Sequence, residues 1–231
     1  EFTMLEFYWA YADYEDCMKL VENLIRNVAK KIDALEVSFN NIDINLSKPF
    51  KKKTFSELLS NKLGVNVNDL SESKLKQICK EKEIQVKPDA NIGQILDALM
   101  GELVEPTLTE PTFVIDYPKV ISPLAKMHRS GDPKLVERFE LFIGGDEFAN
   151  SFSELNDPID QRKRLEEQAS FKKLGDEEAQ NLDENFIQAM ECGMPPTGGV
   201  GIGIDRLVML LTESSSIKDV ILFPALRSEV D

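Results

Sequence analysis

Four glycines fall within Gly198–Gly203 of the run GGVGIGIDRLVMLLTE, and Asp205-Arg206 follows before an apolar stretch with helical spacing. Glycine-rich turns that open a helix hold phosphate through free backbone N–H groups. The dinucleotide fingerprint needs G-x-G-x-x-G, whereas Gly199, Gly201 and Gly203 are spaced two apart and Ile204 stands at the third position. Alternating glycines read instead as a strand with one bare face, where a flat or bulky group lies directly on the backbone. Arg206 then stands where that strand meets a helix N-terminus, and a guanidinium forks onto phosphate oxygens. The glycines alone leave two readings open: a phosphate or nucleotide site, and a steric strand packed under the next helix.

A second cluster lies in RFELFIGGDEFANSFSELND. Glu140 and Glu147 flank Gly144-Gly145, a pair suited to a two-residue type I′ turn. Pairing Ile143 with Asp146 sets Phe142 opposite Glu147 and Glu140 opposite Ala149, so both glutamates project from one face as diagonal neighbours. Carboxylates so placed can bridge a Mg²⁺ that nucleotide phosphates also hold; they also read as a solvated acidic face. Asn150, Phe152 and Glu154 follow at period two, a row of amide, ring and acid that simple alternation puts on the face opposite to Glu147. A single shared site therefore requires a β-bulge between Glu147 and Asn150, and one is predicted there.

The elements that position these residues read as strands and helices without βαβ regularity. Residues 1–9 have strand character, with Phe7 and Trp9 on one side and Glu6 and Tyr8 on the other. From Tyr14 to Ile32 an amphipathic helix is predicted on Met18, Val21, Leu24, Ile25 and Val28. Val37, Phe39, Ile42 and Ile44 alternate around Asn40-Asn41, a hairpin signal. Residues 54–110 read as a helical insertion beside a β core, with Thr54 and Ser71 as N-caps and a third helix from Ile92 to Leu103. PTFVIDYP is a short strand, Gly193 a helix C-cap, and the acidic stretch 175–185 a solvated loop and helix start. The predicted class is α+β: an antiparallel sheet flanked by helices. Its parts are a partial core over 1–53, the insertion over 54–110 and the hairpin and glycine strand over 111–231.

With 231 residues, 42% of them hydrophobic, the chain can bury a sizeable core. A net charge of −14 offers no basic footprint for nucleic acid or an anionic membrane and favours a basic ligand. Cys17, Cys79 and Cys192 lie far apart, and the single histidine, His128, has no ligand partner at motif spacing, which argues against zinc. His128 reads as a surface loop residue, and Cys17 and Cys192 as helix-face core or boundary positions. No apolar segment approaches the ~20 residues of a membrane span, and there is no signal-peptide layout. A cytoplasmic protein is expected.

Four segments, EFTMLEFYWAYADY, RFELFIGGDEFANSFSELND, PPTGGVGIGIDRLVMLLT and IKDVILFPALR, resemble in order and spacing the catalytic core of class II lysyl-tRNA synthetases, from residue 1 to about Arg227. Residues 1–16 resemble the second half of that family's motif 2, and the glycine run its motif 3. The resemblance implies that Phe2 stacks on adenine while Arg206 covers the other side and reaches the γ-phosphate, beside Gly203. It implies Mg²⁺ on Glu140 and Glu147, the α-ammonium of lysine on Glu6, and the ε-ammonium on Glu154 with Tyr8. Asn150 and Phe152 would shape the pocket, and Gly199, Gly201 and Gly203 would leave room for an aminoacyl-adenylate. The residue chemistry agrees: a long apolar stem ending in an ammonium calls for a buried carboxylate and aromatic walls. The implied partners are ATP and L-lysine and, in the full-length enzyme, tRNA(Lys) and a second copy of the chain.

The family's anticodon-binding domain, its motif 1 dimer element and the first strand of motif 2, which carries an α-phosphate arginine, have no counterpart in these residues. The resemblance is thus to a core incomplete at its N-terminus, and it implies weak ligand binding and no lysine activation by these residues alone. Two alternatives remain open: a paralogue that lysylates a protein, and a non-catalytic module that binds an adenylate or amino acid. Retention of Glu140, Glu147 and Arg206 argues against the latter, since a sensor needs no metal site for pyrophosphate release.

Overall fold

Asp13 starts the first long helix, α1 (Tyr14–Lys31): its carboxylate accepts from the backbone N–H groups of Glu15 and Asp16, and Asp16 reaches back to close a capping box. The computed structural model describes residues 1–173 and 181–224. The buried stripe of α1 runs through Cys17, Met18, Val21, Ile25 and Ala29. Val28, predicted on that stripe, is exposed; the 3.6-residue period carries the apolar face from Ile25 to Ala29 instead.

Eight strands lie among the described residues: β1 (Met4–Ala10), β2 (Glu36–Phe39), β3 (Ile42–Asn45), β4 (Lys51–Thr54), β5 (Thr112–Ile115), β6 (Arg138–Ile143), β7 (Asp146–Ser153) and β8 (Thr197–Gly203). Strands β2 and β3 form their own hairpin, closed by Asn40 and Asn41 at φ +52° and +61°, the left-handed pair of a type I′ turn. The other six make one sheet in the order β1-β8-β7-β6-β5-β4. It is antiparallel, as predicted, except at its edge, where β4 and β5 run parallel. Strand β4 was hidden in sequence because it reads Lys-Lys-Lys-Thr: it is an edge strand with its lysines exposed, a protection against edge-to-edge pairing.

The return from β4 to its parallel neighbour β5 runs through α2 (Phe55–Leu63), α3 (Glu72–Glu81) and α4 (Ile92–Leu103). Thr54 caps α2 through the Glu57 N–H and Ser71 caps α3 through the Lys74 N–H. Three further α-helices lie among the described residues: α5 (Pro158–Lys173), α6 (Glu184–Glu191) and α7 (Ile204–Thr212). Gly193 follows α6 at φ +123°, but Cys192 before it is exposed, outside the core and boundary positions expected. Residues 175–180 of the acidic stretch and 225–227 of the last motif lie outside the described residues.

The sheet separates two environments. On one face Phe113, Phe139, Leu141, Ile143, Phe148, Ala149, Val200 and Ile202 pack against α1, α7 and the β2–β3 hairpin. On the other, Val114 and Phe142 join the core built by α2, α3 and α4, with Phe152 at its margin. The helices thus cover the β4-β5-β6 half of that face, and the β7-β8-β1 half carries the glycines. Strand β1 fits this unevenly: Phe7 packs against the first core, but Trp9, expected beside it, is 45% exposed.

The tip of the β6–β7 hairpin is clamped. Gly144 and Gly145 adopt φ +62° and +88°, and their N–H groups donate to the carbonyls of Thr109 and Leu108 at 3.0 and 3.1 Å. A Cβ on Gly144 would lie 2.8 Å from Cδ1 of the buried Phe39, whereas Gly64, also left-handed at φ +72°, has nothing within 4 Å. Gly64→Ala is expected to cost about 1 kcal/mol from backbone strain alone, and Gly144→Ala about 2–4 kcal/mol, because Phe39 must also move. Urea midpoints measure both; equal costs would show that the hairpin tip is not held against Phe39.

Candidate active site

The β6–β7 ladder contains the predicted irregularity. Phe142 pairs with Glu147 but Leu141 pairs with Ala149, so Phe148 is the extra residue. Phe148 and Ala149 both point into the core, and everything after them changes face. Glu140 therefore opposes Asn150, not Ala149 as a regular ladder would have it, because the bulge shifts the partner by one.

The result is a grid on one face of the sheet. One row across four strands is Glu140, Asn150, Gly201 and Glu6; the next is Arg138, Phe152, Gly199 and Tyr8. Glu147 stands beside Phe142, and Gly203 opposes Met4. Gly198 points the other way, where a Cβ would lie 2.4 Å from Cys17 Sγ. The bare face is thus made by Gly199, Gly201 and Gly203, as their spacing predicts.

Glu154 uses the space that the missing side chain leaves. A Cβ on Gly199 would sit 1.9 Å from Glu154 Oε1 and 3.2 Å from Tyr8 Cε1, so carboxylate and ring both close on the glycine. The Glu154 backbone is held by its N–H to Thr197 O at 2.8 Å. Its carboxylate has no cation among the described residues, and burial alone pushes its pKa up to about 8. The Tyr8 hydroxyl is raised by burial and then by the charges of Glu154 and Glu6.

A cavity of about 340 Å³ lies next to this grid, and Phe2, Glu147, Asn150, Gly201, Gly203 and Arg206 all line it. Arg206 comes from the first turn of α7, and its Nη1 donates to the Glu147 carbonyl at 2.6 Å and lies 4.0 Å from the Glu147 carboxylate. Phe2 precedes β1 and is 67% exposed. Its neighbour Thr3 is pinned on both sides: its N–H donates to the Asp205 carboxylate, and its carbonyl accepts from Ile204 N–H at 3.0 Å. Asp205, read from sequence only as part of a pair with Arg206, is thereby the residue that sets Phe2 over the cavity.

The two hairpin glutamates differ in their partners. Glu140 accepts from the Tyr117 hydroxyl at 2.7 Å and from the Arg138 guanidinium. Glu147 has its pKa pushed up to about 7, first by burial and then by repulsion from Glu140, against the pull of Arg206 and Arg138. Glu105, just beyond α4, is likewise raised to about 7 by burial and by the charges of Glu140, Asp97 and Glu147. No group of three or more His, Cys, Asp or Glu among the described residues is set to hold a metal by itself. Mg²⁺ takes one or two carboxylates and completes its shell with phosphate oxygens and water. Glu140 and Glu147 fit that requirement, since their mutual repulsion is what a shared cation relieves.

Three contributors escaped sequence reasoning. Arg138 was legible in principle, because residues two apart on a strand share a face with each other and Arg138 stands two before Glu140. Tyr117 and Glu105 carried no local signal. His128 is not a surface loop residue: its side chain is 15% exposed and lies 3.4 Å from Asp116. It sits beside the Tyr14 hydroxyl at 3.5 Å, in a knot with Arg129, which joins Asp13 to Glu137.

Glu154 titrates near 4.5 in an open chain and near 8 in the fold, so the stability it contributes is complete below about pH 4.5 and is lost as pH rises through about 8. Glu147 and Glu105 act in the same sense up to about pH 7. The urea midpoint of the ligand-free protein should therefore fall from about pH 5 to about pH 8, and Glu154→Gln should flatten the upper part of that fall. A midpoint that rises over this interval, or a Glu154→Gln slope equal to the parent's, would contradict the burial of this carboxylate.

Comparison with known proteins gives the same direction. The family described as tRNA synthetases class II (D, K and N) matches residues 1–227. A lysine-tRNA ligase of Trichormus variabilis is 53% identical over 232 residues, covering 99% of this chain and 41% of the relative. Those of Deinococcus radiodurans and Carboxydothermus hydrogenoformans are 49% and 50% identical, with 99% and 98% of this chain and 44% and 47% of the relatives covered. The chain thus spans less than half the length of these curated relatives. With the bare glycine strand, the bulged carboxylate hairpin and a match along nearly its whole length, the chain belongs to the class II tRNA synthetases of the D, K and N group.

Proposed function

We propose that this chain carries the lysine and ATP sites of a lysine-tRNA ligase. The observation that supports this most directly is Glu154, a largely buried carboxylate lying on the bare Gly199 with no cation beside it among the described residues. A site for the anionic aspartate side chain would need a cation there; a carboxylate fits a substrate ending in an ammonium. Tyr8 and Phe152 stand in the row opposite Gly199 on either side, suited to walls for the apolar stem. Glu6, one row away beside Gly201, is placed to receive the α-ammonium, and Asn150 faces it across the same glycine.

ATP belongs in the neighbouring cavity, with adenine between Phe2 and the Arg206 guanidinium and the triphosphate toward Glu147. Mg²⁺ held by Glu140 and Glu147 would supply positive charge to the phosphates. The reaction is in-line attack of a lysine carboxylate oxygen on the α-phosphorus: the new P–O bond gives lysyl-adenylate as the bond to the β-phosphate breaks and pyrophosphate leaves. The lysyl group then passes to the 3′ end of tRNA(Lys), releasing AMP. No protein nucleophile is needed; this chain's residues bind, orient and stabilise charge. The homodimer, tRNA and cytoplasmic setting follow from the same reading of the whole enzyme.

Calorimetric titration of the protein with L-lysine and with L-norleucine, which lacks the terminal ammonium, tests the assignment. The protein should prefer lysine, and Glu154→Gln should reduce that preference by about 100-fold, since a desolvated ammonium loses its only charged partner. Binding of Mg·ATP should be unchanged in this variant. Equal affinity for lysine and norleucine in the parent, or an unaltered preference in Glu154→Gln, would refute the reading.

A further inference from the structure

Arg138 stands at the seam between the helix-covered half of the active face and the bare half. It is the only described residue that bonds to both the metal pair and the amino-acid row. Its Nη2 donates to Glu140 Oε1, its Nε to Asn150 Oδ1 at 3.3 Å, and its Nη1 to Ser122 Oγ at 2.8 Å and Ile121 O at 3.0 Å. The guanidinium carbon lies 4.7 Å from the centre of the Tyr117 ring, and the Tyr117 hydroxyl donates to the other oxygen of Glu140. The side chain is 16% exposed. Every nitrogen of the fork is thus engaged, Nη1 by the loop at 121–122 and Nε and Nη2 by groups that face the ligands.

We propose that Arg138 is a positioning residue that locks the Glu140 carboxylate and the Asn150 amide into one rigid unit, so that Mg·ATP and the amino acid bind as coupled events. This rests on the functional reading above. The planar fork is what makes the link: its donors are fixed relative to one another, so a shift of Glu140 on the phosphate side must turn the group that holds Asn150. A lysine could keep a charge beside Glu140 but has a single terminal nitrogen and could not also hold Asn150 and the loop. Outer groups of this kind govern metal affinity through the ligand they orient.

The test compares the parent with Arg138→Lys and with Ser122→Ala, which loosens one anchor of the fork and keeps its charge. Mg·ATP affinity is measured with and without saturating lysine, alongside melting temperatures and crystal structures. In the parent, lysine should tighten Mg·ATP. In Arg138→Lys the Mg·ATP affinity should fall by about tenfold or more, and lysine should no longer alter it; Glu140 and Asn150 should leave their parent conformers. Ser122→Ala should lose part of the coupling, about threefold in affinity, with an unchanged melting temperature. A merely structural Arg138 would lower melting temperature and leave the coupling intact. Retained coupling in Arg138→Lys, or retained conformers of both side chains, overturns the proposal. If Arg138→Lys does not fold, intact coupling in Ser122→Ala overturns it alone. A parent that binds neither ligand would instead refute the functional reading, and the conformers in the structures would still decide whether Arg138 positions Glu140 and Asn150.

Discussion

Phe148 occupies one more place in β7 than β6 can match, and the parity of the active face depends on it. A strand alternates faces at every residue, so without the extra residue Glu147 and Asn150 would point to opposite sides of the sheet. Asn150 and Phe152 would then enter the core against α1, among Cys17, Met18 and Val21. The bulge is secured from the core side, where the buried Phe148 ring meets Phe39 edge-on at 5.8 Å. A buried aromatic pair of this kind contributes on the order of 1 kcal/mol beyond its area. The β2–β3 hairpin that supplies Phe39 also touches the turn at Gly144, through Asn40 Nδ2 donating to the Gly144 carbonyl at 3.0 Å. A small hairpin outside the main sheet thus holds both the irregularity and the turn between which Glu147 is placed.

From Arg138 toward Glu154, the carboxylates of the active face are progressively less neutralised. Glu140 has a guanidinium and a phenol, Glu147 has only the weaker pull of Arg206 and Arg138 against burial and the repulsion of Glu140, and Glu154 has no cation among the described residues. Burial makes an ionised carboxylate costly in proportion to what it lacks. The same arrangement that weakens the protein at higher pH therefore orders the demand for positive charge along this face, least at Glu140 and greatest at Glu154. Preorganised charges in a dry site act without reorganisation when the ligand arrives.

Features that depend on near neighbours were legible in sequence. The capping residues Thr54 and Ser71, the two-residue turns at Asn40-Asn41 and Gly144-Gly145, and the period-two glycines each express a local backbone requirement. Even the bulge could be inferred, because two rows of chemistry on one strand were out of phase. What stayed hidden needs a partner distant in sequence. Strand β4 is three lysines until β5 lies beside it, His128 is a loop residue until Tyr14 and Asp116 close on it, and Glu105 is one acid among many until the hairpin comes within range. The exposed Val28 and Trp9 show the converse: apolar residues with the right spacing still depend on whether another element arrives to cover them.

The helices between β4 and β5 are part of this site's physics even though they carry no cluster that reads as catalytic. Their core takes in Val114 and Phe142 from the sheet and Tyr117 from the segment after β5. Tyr117 then gives its ring to Arg138 and its hydroxyl to Glu140. Glu105, just beyond α4, adds a raised carboxylate near Glu140 and Glu147. Half of the active face is thus covered by helices that fix the back of the carboxylate hairpin, while the glycines keep the other half open. A displacement of these helices that moved Tyr117 would pass to Glu140 directly through the hydroxyl and indirectly through Arg138.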